Sequence, residues 1–322
     1  MMPIDVTKFE VLKFTSRLLF IGIGSIIPLC FSPYSVSFIM SLYMYAILAI
    51  TWNMLAGFTG YVSFGHVVFW GLGAYATAIL IIKVGLPWNI AWLLSGVVGC
   101  GFAFAVGIPT LRLSGVYFAI SMLALSEAVK VAVAYLRGVT GGGGGIYLPP
   151  LISLNTAYYL MWAVFATVYL TTCFLSRTSF GKFLLAVRED EIAAQSLGIN
   201  TAVIRIQIFV LSSFFASLAG GLYVLNVCFI DPKTAFDISL TIKAILMTVL
   251  GGLGTLEGPI IGTLLLGGFS ELMWARFPFI HKVLLGAAIM AIVALLPRGV
   301  VPSLKGLRWW GISSRSTLKG DK

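Results

Sequence analysis

The sequence predicts an all-α protein, a polytopic membrane bundle of about ten helical segments, some of them short or broken and rich in glycine. Composition is the first observation behind this prediction. Of 322 residues, 59% are hydrophobic and 10% are charged, and the mean hydropathy is +1.02. Soluble domains average roughly 45–50% apolar and about 25% charged residues. A soluble fold of this length could not keep so much apolar surface from water, so a soluble enzyme, a disordered chain and a disulfide scaffold are excluded.

The spacing of apolar runs is the second observation, because a membrane helix needs about 20 apolar residues. The candidate spans are 18–33, 36–56, 61–82, 90–110, 114–136, 157–176, 203–226, 238–252, 257–275 and 279–297. The first run also has the length of a signal-peptide core, but no convincing cleavage site follows it, which favours a retained helix. Six runs precede the polar loop 177–200 and four follow it, so both termini and this loop fall on one side.

Basic residues indicate which side that is. Lysine and arginine number 21 against 11 acidic residues, a net charge of +10. They concentrate in both tails and in the loop, as at the cytoplasmic ends of membrane helices, and not in a nucleic-acid-binding patch. We therefore expect a cytoplasmic tail at 1–17, a transmembrane domain at 18–297 with its cytoplasmic loop at 177–200, and a basic cytoplasmic tail at 298–322.

Glycine is the third observation, with 35 residues concentrated at 57–73, 138–145 and 251–268. Small residues let membrane helices approach closely, and glycine within short apolar segments marks broken helices that line a pathway. The first and third clusters share one form, an apolar run, a break and another run, which suggests a weak internal repeat. The candidate gate or broken-helix glycines are Gly57, Gly60, Gly251, Gly252 and Gly254.

The loop 177–200 predicts a short amphipathic helix. The acidic run Glu189 to Glu191 suits a helix N-terminus, Ala193 and Ala194 continue the helix, and Gly198 fits its end. A solvated connector would not need exposed alanines, whereas a docking surface for another protein would.

Polar side chains inside the apolar spans are candidates for a translocation path, because they are costly in lipid and usually face a cavity. We single out Asn53, Ser63, His66 and Glu127. Two alternatives stay open. His66 could be a packing histidine bonded to a backbone carbonyl, and Glu127 could form a structural ion pair with Lys130, one turn away.

Motifs for catalysis and metal binding are missing from the sequence. The pentaglycine 141–145 lacks the Lys-Ser/Thr end of a phosphate-binding loop, and no Walker A motif occurs, so ATP would be hydrolysed by another polypeptide. Neither the two histidines nor the four cysteines have metal-ligand spacing, and no G-x-S-x-G motif is present. We expect no catalytic residue, no metal and no cofactor in this chain.

Three stretches resemble the branched-chain amino acid permease family of ABC importers, in its LivM-like half. Residues 53–66 match N-x-x-x-G-x-x-G-x-x-S-x-G-H, and residues 112–119 match R-L-x-G-x-Y-F-A, with Glu127 and Thr140-Gly141-Gly142 beyond. Residues 188–200 match R-E-x-E-x-A-A-x-x-x-G-I-N, followed at 251–259 by G-G-x-G-T-x-x-G-P. The matches keep their order from about residue 45 to 300.

The resemblance implies that 177–200 holds the helix that importer permeases insert into their ATPase. The coupling residues it implies are Arg188, Glu191, Ala193, Ala194 and Gly198. Ile192 takes the first position of the generic E-A-A pattern, and Glu191 lies one residue earlier.

The resemblance also implies partners and a cellular location. These are a second homologous permease subunit, two ABC ATPase subunits that bind ATP and Mg, an extracytoplasmic solute-binding protein and lipid, in a bacterial or archaeal cytoplasmic membrane. The expected function is import of a small polar solute by alternating access. Branched-chain or related amino acids are the preferred solutes. Urea, short amides or small carboxylates are alternatives within the family. A stand-alone secondary transporter or channel is the rival class, and an integral membrane enzyme has no motif in its favour.

Overall fold

The computed structural model describes residues 31–276 and 299–303, with the isolated residues 24, 28, 286 and 290. The predicted tail 1–17 and the predicted span 279–297, apart from 286 and 290, lie outside the described residues. So do most of the first span, 18–33, and most of the second tail, 298–322.

The regular secondary structure in the described part of the chain is helical apart from one short β-ribbon. Its α-helices are α1 Pro33–Thr59, α2 Val67–Ile82, α3 Trp88–Thr110, α4 Val116–Tyr135, α5 Arg137–Thr140, α6 Leu154–Arg177, α7 Ser179–Glu189, α8 Glu191–Ser196, α9 Thr201–Val227, α10 Pro232–Ala235, α11 Ile238–Gly251 and α12 Gly258–Arg276. A 3₁₀ turn covers Gly142–Gly144, and β1 Ile146–Tyr147 pairs antiparallel with β2 Phe229–Ile230. Within the described residues, six segments are long and apolar enough to cross a membrane, namely α1, α3, α4, α6, α9 and Pro232–Gly251, and α2 and α12 are shorter apolar helices. The predicted membrane helix bundle is confirmed.

The predicted span 61–82 differs from the structure, because its helix begins only at Val67. Gly60 ends α1 in the left-handed conformation, with φ of 79°, and residues 60–66 are not helical. Buried side chains satisfy this backbone: the Trp52 indole donates to the Ser63 carbonyl at 2.8 Å, and the Val67 amide donates to the Thr241 hydroxyl at 3.0 Å. Side chains of α1 and α11 thus hold the non-helical connection and the start of α2 in place.

Helix α9 is the centre of the packing and lies against α1, α2 and α3. The crossing of α2 and α9 is close because glycines meet backbone there. A Cβ added at Gly73 would overlap the backbone of Ser217, and one added at Gly220 would overlap that of Trp70. Close packing of small residues thus accounts for part of the high glycine content.

The two ends of the bundle differ. Helix α9 has 27 residues, about 40 Å of helix, and runs from α8 at one end to β2 at the other. The two short helices of loop 177–200 lie at the first end. The ribbon joins the loops that follow α5 and α9 at the second end.

Candidate functional site

Loop 177–200 forms two short helices, whereas the sequence predicted one. Helix α7 ends at Glu189 and α8 begins at Glu191. Asp190 divides them because its carboxylate is an N-cap, accepting hydrogen bonds from the Ile192 amide at 2.9 Å and the Ala193 amide at 3.0 Å. The acidic run is therefore split between two helices.

Helix α8 and the residue that follows it present large apolar side chains to their surroundings. Ile192 is 77% exposed and Leu197 is 80% exposed, whereas Ala194 is only 2% exposed. The expectation of an exposed alanine pair holds for Ala193 alone, because Ala194 faces the protein. Gly198 follows the helix with φ of 82°, a conformation that a Cβ disfavours, and thus ends it as predicted.

Glu191 points inward and fastens α8 to the bundle. Its carboxylate pairs with the Arg205 guanidinium of α9 at 2.7 Å and accepts a hydrogen bond from the Tyr61 hydroxyl at 2.9 Å. Thr201 donates to it at 3.2 Å, and Arg205 also contacts the Tyr61 hydroxyl directly. Helix α8 is thereby tied both to α9 and to the non-helical connection between α1 and α2.

Arg205 and Tyr61 are site residues that were not predicted from the sequence. For Arg205 a signal was present, because an arginine within the apolar run 203–226 needs a partner in a membrane.

Arg188 makes a second attachment, at a point that we call the glycine junction and define as Asn53, Gly57, Arg188, Gly254 and Thr255. The Arg188 guanidinium donates to the Gly57 carbonyl at 2.7 Å. The Asn53 amide bridges to the break between α11 and α12, donating to the Thr255 carbonyl at 3.0 Å and accepting from the Gly254 amide at 2.9 Å. The junction thus brings together α1, the α11–α12 break and the helix that precedes α8.

The candidate gate glycines divide into two kinds. Gly60, Gly252 and Gly254 lie in the breaks with φ of 79°, 126° and 76°, whereas Gly57 and Gly251 are still helical. Both clusters take the predicted form of a helix, a break and a helix. Whether these glycines act as a gate stays a prediction.

The four candidate path residues do not converge. Asn53 is in the glycine junction. Ser63 and His66 are fully buried in packed interior, and His66 Nε2 lies 2.9 Å from the Thr51 hydroxyl, where the packing alternative expected a backbone carbonyl. Glu127 lies on the exposed side of α4, paired with Lys130 at 3.2 Å. Among the described residues, no cluster of three or more histidine, cysteine or acidic side chains could hold a metal ion.

Residues 34–293 match the family model described as the branched-chain amino acid transport system / permease component. The chain is 29% identical to the high-affinity branched-chain amino acid permease protein LivM of Escherichia coli over 80% of this chain and 68% of that protein. It is 28% identical to LivH of the same organism over 80% and 91%. It is 27% identical to the autoinducer 2 import permease LsrC of Yersinia enterocolitica over 63% and 60%.

No solved structure matches the chain significantly. The family match covers most of the chain, including both helix–break–helix units. Its members are membrane transport subunits rather than enzymes, and ATP hydrolysis falls to partner ATPase subunits. This multi-pass membrane chain belongs to the branched-chain amino acid transport permease family of ABC importers.

Proposed function

We propose that this chain is the permease subunit of an ATP-driven importer for a branched-chain or related amino acid, with α8 as the helix that receives movement from the ATPase. One observation carries the proposal. Ile192 of α8 and Leu197 just after it turn large apolar side chains away from the protein, while Glu191 holds α8 to the bundle and Arg188 holds the end of the preceding helix α7. An apolar helix face of this kind suits the groove of another protein.

The attachments explain how movement would be passed on. When ATP binding closes the ATPase dimer, α8 moves as a rigid body. The Glu191–Arg205 pair carries this movement to α9, and the Tyr61 contact carries it to the connection before α2. Arg188 carries it through the glycine junction to the α11–α12 break. The solute passes unchanged between this subunit and its partner permease.

If the chain has this function, loop 177–200 and the tails 1–17 and 298–322 lie in the cytoplasm of a bacterium or archaeon. The complex would hold a second homologous permease, two ATPase subunits with ATP and Mg, and an extracytoplasmic solute-binding protein. The names of the similar LivM and LivH proteins favour branched-chain amino acids, and the LsrC name shows that the wider group has other solutes. Calorimetry on the cognate solute-binding protein, with leucine, isoleucine, valine, urea and acetamide, tests the substrate.

The coupling role is tested with Gly198→Trp in the complete importer. A Cβ at Gly198 meets no atom within 4 Å, so the new side chain projects outward into the space that the ATPase would take. Gly85→Trp is the matched control, because Gly85 has φ of 76° and equally open surroundings in the loop after α2. We expect ATP-driven uptake to fall at least tenfold for Gly198→Trp only. Unchanged uptake would remove α8 from the docking role.

The rival class is tested with the same protein. A stand-alone transporter would move solute when this chain alone is placed in liposomes without ATP. We expect no flux there, and solute flux under those conditions would overturn the importer proposal.

A further inference from the structure

A cavity of about 340 Å³ lies between α1, α11 and α12. Its polar lining consists mainly of Ser37, Ser41, Tyr45, Lys243, Ser270 and Glu271, and apolar side chains, among them Phe38 and Leu266, complete the wall. This volume is at the lower end of the roughly 300–1,000 Å³ typical of small-molecule sites. The mixture of polar and apolar lining fits a small ligand with a charged head.

The cavity is well separated from the coupling end of the molecule. Lys243 precedes Gly251 by eight residues, and Glu271 follows Gly258 by thirteen. At 1.5 Å of helix per residue these positions are roughly 12 and 20 Å from the α11–α12 break. The charged groups therefore lie within the membrane helices and not at their ends beside α8.

Neither charge of the cavity has an ionic partner among the residues that the structure describes. The Lys243 ammonium contacts the Tyr45 hydroxyl at 3.4 Å and the Tyr45 ring at 5.3 Å, and no carboxylate in the described part of the chain pairs with it. Glu271 accepts a hydrogen bond from the Tyr34 hydroxyl and makes no ion pair with any described residue. Charged side chains within membrane helices are costly, and they mark substrate pathways. Here a cation and an anion face one space without neutralising each other.

We propose that this cavity binds the zwitterionic head of an α-amino acid, with Lys243 on its carboxylate and Glu271 on its ammonium group. Each contact is a charge-assisted hydrogen bond, stronger than one between neutral groups. The serine hydroxyls complete the polar shell, and Phe38 and Leu266 cover the ligand's apolar side chain. The inference rests on the proposed import function and narrows its substrate class, because urea and amides lack the two opposite charges.

The test measures binding of radiolabelled leucine to the complete importer without its solute-binding protein. The vesicles are made of phosphatidylglycerol, which has no zwitterionic headgroup that could occupy the cavity. We expect Lys243→Gln and Glu271→Gln each to weaken leucine binding at least tenfold. Lys243→Arg should keep most of it, and Lys83→Gln, which removes a charge just after α2, should change nothing. Binding in both glutamine variants equal to that of the wild type would overturn the proposal.

Competition on the wild-type importer gives an answer even if a variant fails to assemble. Leucinamide lacks the carboxylate and 4-methylpentanoate lacks the ammonium group, so each should compete at least tenfold more weakly than leucine. Equal potency of the three compounds would refute the site. ATP-driven uptake separates the two proposals: a wild-type importer that moves no amino acid contradicts the proposed function, whereas normal leucine uptake by both glutamine variants contradicts the cavity alone.

Discussion

Replacing Glu191 by glutamine should loosen the link between α8 and the membrane helices. The Arg205 side chain is 8% exposed and that of Glu191 is 28% exposed, at a separation of 2.7 Å. Removing one partner of a fully buried ion pair costs about 3–5 kcal/mol because the other charge stays buried. Water reaches Glu191, which lowers the expected cost to about 2 kcal/mol. This free energy corresponds to a roughly thirty-fold change in the equilibrium constant between attached and detached α8.

The assay compares solute uptake and phosphate release on the same vesicles of reconstituted importer. We expect Glu191→Gln to keep ATP hydrolysis but to lower the solute moved per ATP several-fold, because α8 moves without carrying α9. Glu189→Gln is the matched control: it removes the same charge two residues earlier, at an exposed position where the described residues offer no ion pair.

A double-mutant cycle with Arg205→Met tests whether the lost Glu191–Arg205 interaction causes the effect of Glu191→Gln. The double variant should be more stable to heat than Glu191→Gln alone, because it leaves no uncompensated charge. If Glu191→Gln and Glu189→Gln gave the same melting temperature and the same transport ratio, the Glu191–Arg205 pair would not hold α8, and the reasoning would be refuted.

Two further predictions concern packing and the glycine junction. Gly73→Ala should lower the stability of the purified complex by about 1–3 kcal/mol, since the added methyl group overlaps Ser217. Gly101→Ala, with open space in α3, should instead raise it by up to about 1 kcal/mol, and equal melting shifts would contradict this account of the α2–α9 crossing. Asn53→Ala should cost about 1–3 kcal/mol by leaving the Gly254 amide and the Thr255 carbonyl unpaired. Hydrogen exchange at residues 252–257 should accelerate, and unchanged exchange there would show that Asn53 does not hold the break.

The helices were predictable because an apolar run long enough to span a bilayer is local information. The break at 60–66 was not predictable, because Tyr61, Val62 and Phe64 give this segment the apolar character of a membrane helix. Its conformation depends on distant partners, as the hydrogen bond from the Val67 amide to the Thr241 hydroxyl shows.

The candidate site was predictable only where its features depend on residues close together in the sequence. The ends of α8 could be located from Gly198 and the acidic run, since caps and helix ends are set by neighbouring residues. The inward direction of Glu191 required Arg205 and Tyr61, which are distant in sequence. Asn53 was found as an unusual polar residue, but its role in joining two glycine-rich breaks depends on the fold alone.

The close crossing of α2 and α9 limits the ways in which this subunit can deform. Two helices whose backbones touch at Gly73 and Gly220 cannot slide past each other without first separating by about the width of a methyl group. We therefore expect α2 and α9 to move together when α8 moves. Helix α4 lies at the margin of this packing, with 28% of its apolar window buried within the described chain against 78% for α9.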